Sequence, residues 1–598
     1  MAADEGVAGT PGRRTLGSAN QPREALLPDA PATADCKAAS CPTPIHDRLA
    51  RAERLRVVAE AQQAGQSQRA AAASAGVARS TLRHWSTSRP TTAPPALATF
   101  AATPDGVQWL RQILVAAHWC ISEQGGAGVR VVCEFLELSG LSAFIGASYG
   151  TQQAFQAELE QQIVTCAEEQ RASLATAMPH RTVSIAEDET WKDGMRLVAI
   201  EPVSNFILLE QASDQRSAAA WSQALERGLA GLKVSVVQGV SDEAKGLLAH
   251  VERDQGAHHS TDLFHLQHEV SQAMSLALKR AEQHAETEEA KAKAHWQAQC
   301  AAEQAYHRQR HGPGRPPAFA ARIDRALSAS VKASLARERA QAHRAESKAL
   351  IGALSEVDHP YDLQHGQAQT PEQLQTQLET VFARLERIAE AVDLSERLCA
   401  HLAKAKRLTH SLVATLAFFF MTITTRVQAL NLAPAIEQAM LNDLIPALYL
   451  ERAAARSSDA AQRQRLRALS AQRLAPLKQP SHPIQALDAE TREHLEQVAG
   501  ECADLFQRSS ACVEGRNGFL ALYQHGHHRL SPRKQQLLTA LHNFAITRPD
   551  GTTAAQRFFA QAHPALFGQV LERMPWPARP ARRRPRPAKQ PALVPVAA

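Results

Sequence analysis

The spacing of hydrophobic residues first predicts a small helical domain. Between residues 45 and 90, apolar residues recur at helical spacing in three short segments. Gly65 and Gly76 end the first two predicted helices, and Ser67 is the expected N-cap of the second. Three short helices with a glycine-containing turn before the last have the layout of a helix-turn-helix. Residues 91–180 are predicted to be a proline-rich linker that leads into further helices.

The hydrophobic period changes to that of β-strands after residue 180. Val183 and Ile185 alternate with polar residues, and the run from Arg181 to Ala212 predicts three antiparallel strands. A helix, a fourth strand ending at Asp242 and a second helix follow. The order β-β-β-α-β-α is the one with which a ribonuclease H-like fold begins.

Helical periodicity returns after about residue 270 and continues for more than 200 residues. Residues 277–309 are polar and alanine-rich and predict a long exposed helix or coiled coil, which the segment HGPGRPPAF (311–319) breaks. We therefore predict a mainly α-helical protein with an α/β ribonuclease H-like catalytic core, an N-terminal helix-turn-helix and a large all-helical insertion. The predicted domains are a disordered tail (1–44), the helix-turn-helix (45–90), a linker and helical region (91–180), the first part of the core (181–270), the insertion (271–487), the last part of the core (488–570) and a basic proline-rich tail (571–598).

Composition and charge narrow the class of protein. Of the 598 residues, 44% are hydrophobic and 21% charged, as in ordinary globular proteins, and the net charge of +6 is a mild basic bias compatible with nucleic acid. The nine cysteines form no CxxC pair, so we expect free thiols in a reducing compartment. The start of the chain has no apolar signal-peptide core, and the apolar run Leu412–Ile423 is too short to span a bilayer, which predicts a cytoplasmic protein with no membrane partner.

Carboxylates at strand ends are the strongest local chemical signal. Asp188 follows the first predicted strand and Asp242 ends the fourth, and these strands are neighbours in the ribonuclease H topology. Paired carboxylates of this kind hold two divalent ions for phosphoryl transfer, and their oxygen ligands suit Mg²⁺ or Mn²⁺. Two alternatives stay open. If Ile185 points inward, strand alternation places Glu187 and not Asp188 on the same face, so Glu187 is a rival for the first metal ligand. Asp242 is also suited to be the N-cap of the helix that follows it.

A resemblance supplies the third carboxylate. The segment CVEGRNGFLALYQHGHHRLSPRKQQLLTALHNFAITRPDGTTAAQRFF (512–559) resembles the C-terminal part of bacterial insertion-sequence transposases of the Asp-Asp-Glu superfamily, in which the glutamate of Glu-x-Arg-Asn-Gly is the final catalytic acid. Here that residue is Glu514. The resemblance extends over residues 183–270, where Asp262, Phe264 and His265 match an Asp-x-Phe-His motif, and over the helix-turn-helix.

The resemblance implies a function. Asp188, Asp242 and Glu514 would hold two Mg²⁺ (or Mn²⁺) ions, and the protein would cut DNA at transposon ends and join the freed ends to target DNA. It would bind double-stranded DNA at terminal inverted repeats, work as a homo-oligomer, and act in the bacterial cytoplasm at the nucleoid.

Several basic and polar residues are candidate DNA contacts. The proposed recognition helix carries Arg79, Ser80, Thr81, Arg83 and His84, although a short solvated basic helix has the same composition. A second set follows the third acid, and it consists of Arg516, Arg529, Arg533 and Lys534. The segment Gly312–Pro317 resembles an AT-hook, but a hinge between helices is the preferred interpretation. The His258, His259, His265 and His268 patch lacks a cysteine, and we do not expect it to bind zinc.

Three rival functions remain open at this stage. The chain has the features expected of a transposase-derived repressor without catalysis, and also those of a metal-dependent nuclease without strand transfer. The alanine-, glutamate- and arginine-rich middle is also typical of a structural coiled-coil protein, although the strand-rich segment 181–240 argues against that as the whole answer.

Overall fold

The computed structural model describes residues 48–82, 95–191, 194–312, 314–527 and 530–580. The chain divides into two compact units, and the described residues 48–82 belong to the first while those from residue 95 to residue 580 belong to the second. The predicted N-terminal tail (1–44) and most of the predicted basic tail lie outside the described residues.

The N-terminal unit contains short helices around a small core. Helices α1 (Arg48–Gln63) and α2 (Gln68–Ser74) are followed by helical residues 79–82. Ser67 caps α2 as expected, since its hydroxyl accepts a hydrogen bond from the Ala70 amide at 3.3 Å. The buried residues of this core are Val58, Ala71, Ala72, Ala75 and Leu82.

The second unit begins with helices that pack against a sheet. These helices are α3 (Pro95–Phe100), α4 (Pro104–Ala117), α5 (Val129–Leu138) and α6 (Tyr149–Ala177). The strands that follow are β1 (Arg181–Trp191), β2 (Met195–Glu201), β3 (Phe206–Ser213), β4 (Val234–Ser241) and β5 (His258–Thr261). Helix α7 (Ala218–Leu229) lies between β3 and β4, and the short helix α8 (Lys245–Leu248) follows β4.

The five strands form one mixed sheet in the order β3-β2-β1-β4-β5. Strand β2 is antiparallel to β1 and β3, whereas β4 is parallel to β1 and β5 is parallel to β4. The predicted three-stranded meander and the neighbouring first and fourth strands are therefore present. Two details differ: β1 continues three residues past Asp188, and β5 had no counterpart in the predicted elements.

Both faces of the sheet are covered, which explains why β2 is buried along its whole length. On one face Ile185, Leu197 and Ala199 join Trp221 of α7 in a large core. On the other face a smaller cluster consists of Ala186, Val198, Ile200, Ile207 and Val513. Successive residues of β1 therefore alternate between two different packing environments.

The predicted insertion consists, in its described part, of helices, connecting loops and one isolated β-bridge between Tyr361 and Ala368. Its helices are α9 (Leu263–His307), α10 (Phe319–Val357), α11 (Pro371–Ala391), α12 (Glu396–Gln428), α13 (Pro434–Ala439), α14 (Ile445–Arg456) and α15 (Ala460–Leu477). The helices after the insertion are α16 (Ala489–Asp504), α17 (Ala511–His527), α18 (Pro532–Phe544), α19 (Ala554–Phe559) and α20 (Leu566–Arg573). A separate hydrophobic core holds most of the insertion together with α16.

The apolar run Leu412–Ile423 lies inside α12, which has 33 residues. Helix α12 is long and apolar enough to cross a membrane by length and composition alone, so the expectation based on a short run needs correction. Leu412, Leu416, Phe419 and Ile423 are buried in the core of the helical bundle, and core helices of this kind pass the same test.

Candidate functional site: a carboxylate cluster at the sheet edge

Asp188 and Asp242 lie at the point where strands β1 and β4 separate. The last paired residues of these parallel strands are Ala186 and Val240. Each aspartate lies two residues beyond its member of this pair, so both are carried to the same edge of the sheet. Asp188 lies on the same face of the sheet as Ala186. The β2 residue that pairs with Asp188 is Val198, which belongs to the same hydrophobic cluster as Val513.

Helix α17 carries Glu514 to this edge, although Glu514 follows Asp188 by 326 positions in the sequence. Val513 packs on the sheet face, and the next residue, Glu514, lies in the first turn of the helix. One helical turn later Asn517 donates a hydrogen bond from Nδ2 to Oδ2 of Asp188 at 3.1 Å. Residues i and i+3 of a helix lie on the same side, so this bond also places Glu514 beside Asp188.

Asp262 joins the two halves of the site. Its amide donates a hydrogen bond to the carbonyl of Ser241 at the end of β4, and its carboxylate caps α9 through the Phe264 amide. The same carboxylate accepts a hydrogen bond from the hydroxyl of Ser510, whose carbonyl in turn accepts the amide of Glu514. Asp262 therefore fixes the start of α17 relative to the end of β4.

Asp188 lies in a buried environment that also contains three other carboxylates. Burial, followed by the negative charge of Glu514, raises the pKa of Asp188 from 3.8 to about 7, and Asp242 and Asp262 contribute in the same direction. The Glu189 amide, which donates to Asp188 Oδ1 at 2.8 Å, partly opposes this shift. Within the described ranges, no three His, Cys, Asp or Glu side chains stand close enough to coordinate one ion as they are placed.

The raised pKa of Asp188 predicts a pH-dependent stability. In metal-free buffer the folded protein binds a proton at Asp188 up to about pH 7 and the unfolded chain only up to about pH 4, so the free energy of unfolding falls as pH rises through this window. Asp188→Asn lacks this contribution. The free energy of unfolding is measured by denaturant titration in EDTA for wild type and Asp188→Asn. Between about pH 4.5 and 7.5 wild type should lose stability relative to the variant. Equal pH dependence of the two proteins would contradict the prediction.

Glu187, the rival first ligand, points to the opposite face of β1. It is fully buried, and its Oε1 lies 3.3 Å from Nε2 of His250. Its Oε2 atom lies close to Gly239 of β4. A Cβ atom added to this glycine would stand 3.2 Å from Oε2 of Glu187 and 2.7 Å from a methyl carbon of Val251, so a larger residue would fit here only if Val251 shifted. The structure thus separates Glu187 from the cluster that contains Asp188.

Asp242 is not the N-cap of the helix that follows it. Helix α8 begins at Lys245, with Ala244 in the cap position. The Oδ1 atom of Asp242 accepts the Ala244 amide at 3.2 Å, which closes a local turn and leaves Oδ2 free of any hydrogen bond in the described part of the chain. The structure therefore does not support the capping alternative, and the local turn engages only one of the two carboxylate oxygens.

Arg516 was a candidate DNA contact, and the structure places it in the interior. Its guanidinium makes two hydrogen bonds of 2.7 Å to the carboxylate of Glu210, and the two side chains are 3% and 0% exposed. Burial alone would raise the pKa of Glu210, but Arg516 holds it below its ordinary value. A guanidinium enclosed in this way cannot reach a DNA backbone, so Arg516 leaves the set of candidate contacts and stabilises the packing of α17 on β3.

Lys534 is also engaged by acids within the fold. Its ammonium group contacts Glu123 and lies 3.0 Å from Glu160. Burial alone would lower its pKa, but these carboxylates, Glu123 foremost, raise it well above the ordinary value. The neighbouring Arg533 lies 3.7 Å from Glu160 and donates a hydrogen bond to the Ala157 carbonyl, but its side chain is 43% exposed and is the more accessible of the two.

The other candidate DNA contacts divide into described and undescribed residues. Arg79 and Ser80 are exposed and Thr81 is half-buried, which is compatible with a surface role for all three. Arg83, His84 and Arg529 lie outside the described residues. In the histidine patch, the His258 ring stacks on Phe418 with centroids 4.4 Å apart, and His259 hydrogen-bonds Ser241 at 3.0 Å.

Comparison with protein families gives one partial match and no activity. A model of a family of unknown function (DUF6399) matches residues 440–586, about a quarter of the chain, and this range includes Glu514. No curated protein matches the sequence, and no solved structure does.

Proposed function

We propose that this protein is a DNA transposase of the Asp-Asp-Glu type. The observation that carries the proposal is the meeting of Asp188, Asp242 and Glu514 at one edge of the sheet, although the third residue is separated from the second by a helical insertion. The strand order β3-β2-β1-β4-β5 with an antiparallel β2 supports a ribonuclease H-like core. The short helices and small core of residues 48–82 support an N-terminal helix-turn-helix.

The chemistry of the site suits two divalent metal ions, Mg²⁺ or Mn²⁺. Its donors are carboxylate oxygens, which these ions prefer, and the interactions that shift the pKa of Asp188 include no cationic side chain among the described residues. Positive charge at this edge would offset the burial and the repulsion that together raise that pKa. The carboxylates would have to rotate towards one another to share an ion.

Each residue has a distinct part in the proposed reaction. Asp188 and Asp242 would hold the ions from the sheet, and Glu514 would complete the site from α17. Bound there, the ions would supply the charge that activates the attacking oxygen and stabilises the leaving oxygen. Asn517 orients Asp188, and Asp262 keeps the start of α17 in register with β4.

The reaction has two steps at one site. In the first, water attacks a phosphodiester at the transposon end, and the products are a 5′-phosphate and a free 3′-hydroxyl. In the second, that hydroxyl attacks a phosphodiester of target DNA, so one bond forms as another breaks. Two transposon ends require two active sites, and we therefore propose a homo-oligomer on DNA in the bacterial cytoplasm, associated with the nucleoid.

A strand-transfer assay tests the proposal. A labelled duplex that carries the ends of the element is incubated with supercoiled plasmid and Mg²⁺, and products are separated on denaturing gels. We expect joined products that are absent with EDTA. Cutting without joining would support a nuclease instead, and binding without cutting would support a transposase-derived repressor.

A further inference from the structure

Helices α9 and α10 form a long arm that begins beside the carboxylate cluster. Helix α9 has 45 residues and starts directly after Asp262, and α10 returns alongside it over 39 residues. At 1.5 Å per residue, α9 is about 67 Å long. We call residues 307–325, where the chain turns back, the arm tip.

Along the shaft of the arm, charges are neutralised by ion pairs. Glu289 is paired with Lys293 at 2.7 Å and with Arg337 of the other helix at 3.1 Å. Arg344 likewise pairs with Glu282 across the two helices. These contacts hold the helices together and leave the shaft close to electrically neutral.

The arm tip has a different charge pattern. Asp324 is the only acid between residues 307 and 325, whereas the same segment carries five arginines, all of them exposed. These are Arg308, Arg310, Arg315, Arg322 and Arg325. None of the five has an acidic partner in the part of the chain that the structure describes, and Arg325 hydrogen-bonds only the carbonyl of Ala321 on its own helix.

Aromatic contacts give the tip a defined shape. The ring of Tyr306 stacks on His311 with centroids 3.5 Å apart and contacts Phe319 at 5.3 Å. His311 also hydrogen-bonds the carbonyl of Tyr306. The end of α9, the loop and the start of α10 are thereby tied together, so the arginines project from a fixed turn.

We propose that the arm tip binds the phosphate backbone of double-stranded DNA. Five arginines without acidic partners match a polymer that carries one negative charge for about every 1.7 Å of its axis. The tip stands about 67 Å along α9 from the carboxylate cluster, which corresponds to about 20 base pairs of a duplex lying along the arm. The contact is independent of base sequence, and its placement relative to a cut rests on the proposed function.

Salt-dependent binding tests the proposal with matched variants. The tip variant replaces Arg308, Arg310, Arg315, Arg322 and Arg325 by Gln. The control variant makes the same change at five exposed arginines of the helical bundle, namely Arg387, Arg397, Arg407, Arg465 and Arg467. The affinity of the full-length proteins for a 60-base-pair duplex is measured in EDTA over a range of NaCl concentrations, after circular dichroism has shown that both variants are folded.

We expect the slope of log affinity against log salt to decrease by about 0.9 for each phosphate contact that the tip variant loses, with little change in the control. Equal slopes for the two variants would overturn the proposal. Because the binding assay contains no metal, its outcome is separate from that of the proposed function. If wild type never cut DNA but the tip variant bound DNA more weakly than wild type, the proposal of a transposase would be refuted and the proposal of a DNA-binding arm tip would stand.

Hydroxyl-radical footprinting on the same duplex locates the contact. For a protein that cuts, we expect wild type to protect backbone about 20 base pairs from the cut site and the tip variant to lose this protection alone. A footprint that both proteins share at this distance would contradict the placement of the arm.

Discussion

Replacing Asp188 by asparagine is expected to reduce metal-dependent DNA cutting by at least about 100-fold, the loss typical of removing one group that stabilises a charged transition state. Glu514→Gln should have the same effect, because both residues belong to the proposed metal site. The fold should be retained, since each change removes one of several like charges that repel one another. Cleavage rates with Mg²⁺ and thermal unfolding of the same preparations measure both expectations.

Glu187→Gln is the matched control for Asp188→Asn. The two carboxylates are adjacent in sequence, but Glu187 faces His250 on the opposite side of β1. We expect the Glu187 variant to cut DNA at a rate close to that of wild type. Retained cutting by Asp188→Asn together with lost cutting by Glu187→Gln would move the first metal ligand by one position, and retained cutting by Glu514→Gln would refute the third.

Arg516→Ala is expected to lower the free energy of unfolding by about 3–5 kcal/mol, the cost of leaving a buried charge without its partner. The remaining carboxylate of Glu210 would stay in the interior, with only the Thr539 hydroxyl still donating a hydrogen bond to it. In wild type, burial, followed by the charge of Arg516, lowers the pKa of His542 to about 4, and burial, the larger of these causes, remains in the variant. Equilibrium denaturation with urea measures the change.

Arg533→Ala provides the comparison for this loss of stability. Arg533 lies on the surface of α18, where it is 43% exposed, lies 3.7 Å from Glu160 and donates a hydrogen bond to the Ala157 carbonyl, so its removal should cost no more than about 2 kcal/mol. If Arg516→Ala destabilised the protein no more than Arg533→Ala does, the pair with Glu210 would not be the buried contact that the structure shows.

Local patterns in the sequence were sufficient for much of the architecture. Alternation at Val183 and Ile185 predicted β1, and short runs rich in Val, Ile and Leu, bounded by turn residues, predicted β2 to β4. Glycines and Ser67 predicted the boundaries of the N-terminal helices, and the Pro-Gly segment 311–319 predicted where the long helices of the arm end. The placement of Asp188 and Asp242 followed from the neighbouring positions of their strands.

Features that depend on distant contacts were not predictable in the same way. Strand β5 has the sequence HHST, which contains no aliphatic residue, and it is held by pairing with β4 and by the contacts of α12. The burial of Arg516 depends on Glu210, which is 306 positions away, so in the sequence alone it is indistinguishable from a surface cation. Asn517 contacts Asp188 only when α17 docks on the sheet, and the bond between Asp262 and Ser510 likewise joins residues 248 positions apart.

Cleavage by wild type and by Asp242→Asn is the most direct test of the proposed catalytic site. A duplex carrying the element's ends is incubated with each protein in Mg²⁺, in Mn²⁺ and in EDTA, and DNA binding is measured in parallel. We predict metal-dependent cutting by wild type, and binding without cutting by Asp242→Asn. Binding without cutting by wild type under every metal condition, or undiminished cutting by the variant, would contradict a catalytic site built on these carboxylates.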